Sequence, residues 1–436
     1  MKMSKSYICF IILLLSASGF YAQEQMTLQQ ALELALKNNY SITIASNQAE
    51  MAKNDYTWGN AGAMPQLSVG ASGNIGMVNT HQLYASGLEV SKQGVQSTAF
   101  SAGPQLSWVL FDGFRMFATH DRLGQLRDMG EINARMMIEN TIAKIISAYY
   151  DVVRQKQLMK ALNEMIDIYQ ERLNIAEMKS RIGSGSDADM LQAKVDLNEQ
   201  RSALLKQKVL IQNAKANLNL LISRDSYTEF DIKDTILVSY RPKYEDLKSS
   251  VVKQNRSLSF AEKNVKVANY ALREVGAQRY PMLAVNAGYN YSRTTNTAGF
   301  VLLNQNAGFN AGFTANWMLF NGLNARRLVK DAQISALNYE LQFKEVRNEV
   351  ESGLVIAYNN FQNSLEVLKL EEDNIIQARS NVSINLERFR LGYVTSLQLK
   401  DAQKSFVDAE SRLVSARYDA KVAETELMRL NGDLVR

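Results

Sequence analysis

With 436 residues, 49 basic against 44 acidic side chains and a formal net charge of +5, the chain is long enough for two or three ordinary domains or one elongated one, and too mildly basic for charge to mark a nucleic-acid partner. No Lys/Arg cluster alternates with stacking aromatics, so the other signature of a nucleic-acid binder is missing too. The one cysteine, Cys9, leaves no disulfide framework to read.

In chain order, the first element is an address. Lys2 and Lys5 precede a short apolar run, Tyr7 to Leu15, and small residues follow as far as Ala22. This predicts a secretory signal peptide over 1–22, cut after Gly19 or Ala22. The apolar run is about half of what a bilayer-spanning helix needs. Cys9 lies inside that run and not at its end, so it does not read as a lipid-attachment site. No later stretch reaches the roughly 18 apolar residues of a membrane helix. If the chain crosses a membrane it must do so as a closed β-barrel, the other structure that satisfies its backbone in lipid.

A helix is expected over Leu28–Thr57, then two strands, Leu67–Met77 and Phe100–Leu110. A very long helix runs from Gly113 to Arg181, reverses, and returns as a second helix to about 222. Residues 223–243 break the helical pattern and read as a linker or belt. The order then repeats: a helix over Tyr244–Arg279, strands Leu283–Tyr291 and Phe309–Leu319, a long helix from Gly322 to Leu391, a reversal and a last helix. The recurrence is residue by residue. Trp108, Phe111, Gly113, Tyr149, Arg181 and Gly183 fall on Trp317, Phe320, Gly322, Tyr358, Arg390 and Gly392 at one constant offset. Asn39, Pro65, Leu67 and Asn74 fall on Asn255, Pro281, Leu283 and Asn290 at a slightly larger one, so the first half has a longer loop between Asn74 and Trp108. The pattern is a tandem duplication of two long units, 23–222 and 244–436. None of the four prolines falls in the long helices.

At roughly 70 residues each, the long helices would extend about 100 Å. Such lengths call for coiled-coil packing, and Phe343, Val346, Val350, Leu354, Ala357, Phe361, Leu365 and Leu368 step by three and four. The strands alternate. In "FNAGFTANWML" the residues Phe309, Phe313 and Trp317 share one face with alanines and leucine, while the asparagines share the other with glycine, threonine and methionine. A soluble sheet capping a helical rod would turn the apolar face inward, whereas a membrane barrel turns it to lipid. Strands of about 10–13 residues suit the tilted membrane span. Trp108, Trp317, Tyr289 and Tyr291 gather near strand ends as interfacial aromatics do. Four strands cannot close a transmembrane barrel, for which about eight is the minimum, so the chain must contribute to a shared one. Three copies, giving twelve strands, are preferred over two, because an eight-stranded barrel fills with its own side chains. Phe111-Asp112-Gly113 and Phe320-Asn321-Gly322 are then the corners where a strand hands over to a helix. Asp112 and Asn321 supply caps, and the glycines permit the turn.

This order, the "LFDG" and "LFNG" corners and the two reversals resemble the TolC-type outer-membrane efflux protein family over about 24–432. The resemblance implies a mainly α fold with a β-barrel part. A homotrimer would share a 12-stranded barrel in the outer membrane and an α-helical tunnel through the periplasm. It also implies a periplasmic adaptor (membrane fusion) protein and an inner-membrane transporter as partners. The reversal residues Arg181, Gly183, Ser186, Arg390, Gly392 and Ser396 are expected to meet the adaptor; the plainer reading is a simple hairpin turn. Asp401 matches a position where the family places inward-facing carboxylates, and Asp189 one that holds the mouth shut. Gln398 stands where an acid is often found, which weakens the case for a double acidic ring. Both aspartates also suit the plainer role of solvated first-turn helix residues.

His81 and His120 have no metal-ligand partners at ligand spacing, and no nucleophile elbow or phosphate-binding loop is present. The sequence therefore predicts no enzyme, cofactor or metal. The expected activity is passive conduction through an outer-membrane exit duct. The rivals are a channel for type I protein secretion and a pore-free secreted or periplasmic coiled-coil protein.

Overall fold

The structure, a computed structural model, describes residues 25–233 and 235–434. The expected signal peptide, 1–22, lies outside them. Helices α1 (Leu28–Asn38) and α2 (Tyr40–Asp55) lead to strands β1 (Gln66–Leu83) and β2 (Glu89–Phe111). Helix α3 (Arg115–Arg181) and helix α4 (Asp187–Leu221) follow. Then come α5 (Tyr244–Gln254), α6 (Arg256–Gly276), β3 (Met282–Asn296), β4 (Leu303–Asn316), α7 (Asn324–Arg390) and α8 (Ser396–Asn431).

Contacts divide the chain into two compact units that do not follow the tandem halves expected from sequence. One takes the chain up to Ile44, Arg135–Arg256 and Glu349 onward; the other takes Ala45–Ala134 and Ser257–Asn348. The reason is that α3 and α7, 67 residues each, run through both units.

The first unit is helical. The expected seam of α7 faces inward here: Val350, Leu354, Ala357 and Phe361 are buried. On α3 the buried Ile145, Tyr149 and Val152 step by four and three and meet Ala214, Leu218 and Ile222 at the end of α4. Residues 223–243 complete this core through Phe230, Ile232 and Ile236. A second core joins Met165, Tyr169 and Leu173 to Leu197, Val382 and Phe406. Burial, with the Asp196 charge nearby, pushes the Tyr169 phenol up to about 12.

Each expected opening helix proves to be two. Asn39 interrupts the first at φ −67°, ψ 121°, and Asn255 the second at φ −65°, ψ 122°. The Asn39 carboxamide donates to Leu221 O at 2.7 Å and accepts from Ser41 N at 2.9 Å. The Asn255 carboxamide donates to Leu430 O at 3.1 Å. Each buried amide thus satisfies a carbonyl at the end of a long returning helix, which offsets the lost helical continuity.

The second unit holds the sheet, antiparallel in the order β1-β2-β3-β4. The strands run 18, 23, 15 and 14 residues, each longer than expected. β4 alone stops early, at Asn316, so Trp317 and Leu319 lie beyond it. Asn316 pairs with Met282, the first residue of β3, and further residues of β4 would find no partner in this chain. Between β2 and β3 the ladder skips Gly103 and Pro104. Proline has no N–H to give, and the strands close up there. A Cβ on Gly103 would stand 1.9 Å from Tyr289 O. Gly103→Ala is therefore expected to cost at least about 1–3 kcal/mol and to split β2 from β3. Strand content by circular dichroism would fall; a variant with unchanged content would refute the close approach.

Candidate channel wall and mouth

Register decides what each face of the sheet can touch. On one face Leu67, Leu106, Ala287 and Ala311 form a row, and Val69, Pro104, Tyr289 and Phe309 the next. Trp108, Val285 and Phe313 share that face. The other face carries Ser68, Gln105, Gly288 and Asn310, then Ser72, Ser101, Ser292 and Asn306. The apolar face is open: Val69 is 79% exposed and Phe313 76%. A sheet with one continuous apolar face bare and one small-polar face is built to stand between lipid and water. Tyr289, expected near a strand end, falls at the middle of β3, because that strand continues to Asn296.

The two strand-to-helix corners are built alike. Asp112 accepts from Met116 N at 3.0 and 3.1 Å, and Asn321 Oδ1 accepts from Ala325 N at 3.2 Å. Gly113 (φ 74°) and Gly322 (φ 65°) take the left-handed turn that precedes α3 and α7. Phe111 is the last residue of β2, whereas Phe320 lies past β4 and is exposed. Each corner tryptophan bonds the segment entering a strand: Trp108 Nε1 donates to Ala63 O at 2.9 Å and Trp317 Nε1 to Arg279 O at 3.1 Å. In place of a purely lipid-facing role, each indole fastens the chain entering one strand to the chain leaving the next.

At the reversals, Gly183 (φ 74°) and Gly392 (φ 83°) end α3 and α7. Ser186 caps α4 by accepting from Ala188 N at 3.1 Å. Arg181, Gly183, Ser186, Arg390 and Gly392 are exposed. Ser396 departs from the expected tip position. Thr395 caps α8, with Gln398 closing the capping box through Thr395 N at 2.9 Å. Ser396 is 8% exposed and turned inward. Asp189 and Asp401 are both exposed.

What holds Ser396 is a cluster that sequence reading missed. The Arg172 guanidinium on α3 is 1% exposed. It donates to Asp196 Oδ2 at 2.9 Å, Ser396 Oγ at 2.9 Å and Gln403 Oε1 at 3.2 Å. Lys400 bonds the other Asp196 oxygen at 2.8 Å, and Gln192 Nε2 donates to it as well, also at 2.8 Å. One carboxylate therefore balances two cations and ties α4 to both α3 and α8. Burial pushes the Asp196 carboxyl up, but bonds from Lys400 and Gln192, with the Arg172 charge, more than offset it and hold it below the usual range. Nearby, Lys179 donates to Phe389 O and sits 4.4 Å from that ring, and Arg390 pairs with Glu171. The signal was available. Arg172 and Asp196 occupy inward seam positions beside Leu173 and Leu197, where a charge requires a partner.

Among the described residues no group of three or more His, Cys, Asp or Glu side chains converges as a metal site. His81 lies 3.2 Å from Glu89, and His120 stacks on Trp58 with centroids 3.8 Å apart. No helix among the described residues is long and apolar enough to cross a membrane.

The arrangement is that of an outer-membrane channel protein, and comparison with known proteins names the family. The model described as "Outer membrane efflux protein" matches residues 31–224 and 247–433, and the chain belongs to that family. The outer membrane protein TolC of Vibrio cholerae is 21% identical over 415 residues, 92% of this chain and 89% of the relative. The probable efflux pump outer membrane protein TtgC of Pseudomonas putida is 23% identical over 420 residues, 93% and 82% of the two chains. Among solved structures, VceC of Vibrio cholerae shares the fold with a TM-score of 0.78 at 17% identity, covering 93% of this chain and 96% of its own. The Campylobacter jejuni CmeC channel gives 0.79 at 15% identity, covering 93% and 85%. The protein is an outer-membrane efflux channel, an exit duct seated in the outer membrane and extending into the periplasm.

Proposed function

We propose that three copies of this chain close a 12-stranded barrel and a helical tunnel, and that the assembly passively conducts substrates delivered by an inner-membrane transporter through a periplasmic adaptor. The carrying observation is the sheet: one face is apolar and bare, and β1 and β4 each pair on one side only. An open edge in lipid leaves backbone groups unsatisfied, so β4 of one copy must meet β1 of the next. The chain is a tandem duplication, 23–222 and 244–436, joined by 223–243. The matched Asn39 and Asn255 bonds and the matched tryptophan bonds support this.

The exposed turns at Gly183 and Gly392 meet the adaptor. Asp401, three copies around the axis, forms an acidic constriction that attracts cations, with Asp189 and Gln398 beside it. Catalysis has no part in this reading; energy comes from the inner-membrane partner. The experiment is single-channel conductance of the purified protein in a planar bilayer, wild type beside Asp401→Ala. A small cation-selective conductance that grows in the variant is expected. An unchanged pore would remove Asp401 from the mouth, and failure of a correctly folded wild type to insert would overturn the shared barrel.

A further inference from the structure

The apolar face of the sheet carries two charged side chains, Glu89 and Arg293, and Arg293 alone stands away from the β1–β2 turn. The four strands contain three formally charged side chains, Glu89, Lys92 and Arg293. Glu89 and Lys92 lie beside the β1–β2 turn, and Glu89 is paired with His81. Arg293 is different. It stands within β3, in the row Gly73–Phe100–Arg293–Gln305. That row belongs to the face of Ala102, Tyr291 and Ala307, whose own row is the next one down. The guanidinium is exposed and makes no hydrogen bond or ion pair with any described residue.

Its height is readable from the strand. The helices leave from the Leu283 end and the hairpin turns lie at the other, so Arg293 is toward the cell exterior. From Leu283 to Arg293 the strand climbs about 33 Å, or about 25 Å along the membrane normal at a tilt near 40°. That is about the full height of the lipid-facing apolar band of such barrels. Arg293 therefore sits at the outer headgroup level, where a lipid-facing arginine is tolerated, and not at mid-membrane, where it is costly.

A second copy cannot supply the missing counter-charge. β3 is flanked by this chain's own β2 and β4. The nearest strand of a neighbouring copy would be β1, which contains no Asp or Glu. The remaining anion at that height is lipid. We propose that Arg293 holds a phosphate of an outer-leaflet lipid headgroup. The planar guanidinium fork matches phosphate oxygens two at a time, a geometry lysine cannot reproduce.

The proposal rests on the barrel reading above, and the test separates the two. Purified wild type, Arg293→Gln and Arg293→Lys are compared for insertion in a planar bilayer and for retention of a bisphosphorylated lipid A in detergent, read by native mass spectrometry. All three should insert with the same conductance. Arg293→Gln should bind the lipid about tenfold more weakly, with Arg293→Lys between. Dephosphorylated lipid A should not distinguish the variants, and inorganic phosphate at equal concentration should not displace the lipid. A wild type that inserts but binds no better than Arg293→Gln overturns the phosphate contact alone. Displacement by inorganic phosphate overturns the lipid as its source. A wild type that does not insert overturns the barrel and this proposal with it.

Discussion

Asp196→Ala is expected to lower the stability of the helical unit by about 3–5 kcal/mol, the cost of stranding a buried partner charge. Arg172 is 1% exposed and would lose the carboxylate 2.9 Å away, keeping only the neutral Ser396 and Gln403 as partners. Lys400, whose side chain is 36% exposed, can turn to solvent and loses less. The double variant Arg172→Met/Asp196→Leu should recover most of the loss, since apolar groups of similar volume commonly replace a buried pair without penalty. Thermal unfolding followed by the helical circular-dichroism signal measures both. A single variant within about 1 kcal/mol of wild type would mean that the cluster is solvated and not a buried pair.

The same carboxylate fixes a pH dependence. Its folded pKa is depressed, so the unfolded state takes up the proton first as the solution is acidified. Its contribution is complete above the ordinary aspartate value near 4 and is lost as pH falls through the lower folded value. Asp128, held down against its own burial by Lys263 and Arg127, adds a limb of the same sign, as does Asp231 through Lys156. Asp196→Ala should make the acid limb shallower without abolishing it. Ser396, Lys400 and Gln403 share α8 with Asp401, so the variant is also expected to alter conductance if Asp401 lines the proposed mouth.

How much of this could be read from residues alone varies with the range of the force involved. The strands were legible because period-two alternation is a local property, and "FNAGFTANWML" announces two faces without any partner. Their ends were not, because pairing sets them: β4 stops where β3 begins at Met282, and β3 runs on past Tyr291 because β2 and β4 both continue beside it. The α7 seam was legible from Val350, Leu354, Ala357 and Phe361. The breaks at Asn39 and Asn255 were not, although the sequence aligned the two residues, because their carbonyl partners Leu221 and Leu430 are remote in sequence. Gly183 and Gly392 were legible as the reversals after the two long helices. Ser396, expected at the exposed reversal, is instead drawn inward, because the side chain that takes it there comes from another helix.

Phe309→Arg is expected to abolish most assembly, while Asn310→Arg, its immediate neighbour, leaves assembly intact. Phe309 pairs with Tyr289 near the middle of the apolar face, and Asn310 pairs with Gly288 on the polar one. A lipid-facing arginine near the bilayer midplane costs about 2–4 kcal/mol, and in the proposed trimer three copies would bring this to about 6–12 kcal/mol. That is comparable with the whole stability of an ordinary domain. Asn310→Arg meets water and should instead shift the pore toward anions. Trp317 is a poorer probe than Phe309, because it lies beyond β4 and its indole is spent on Arg279 O. The yield of assembled oligomer from membranes reads the first effect and the reversal potential reads the second. Equal yields from the two variants would show that the faces do not differ in what they touch, and the lipid-facing assignment of the whole sheet would fall.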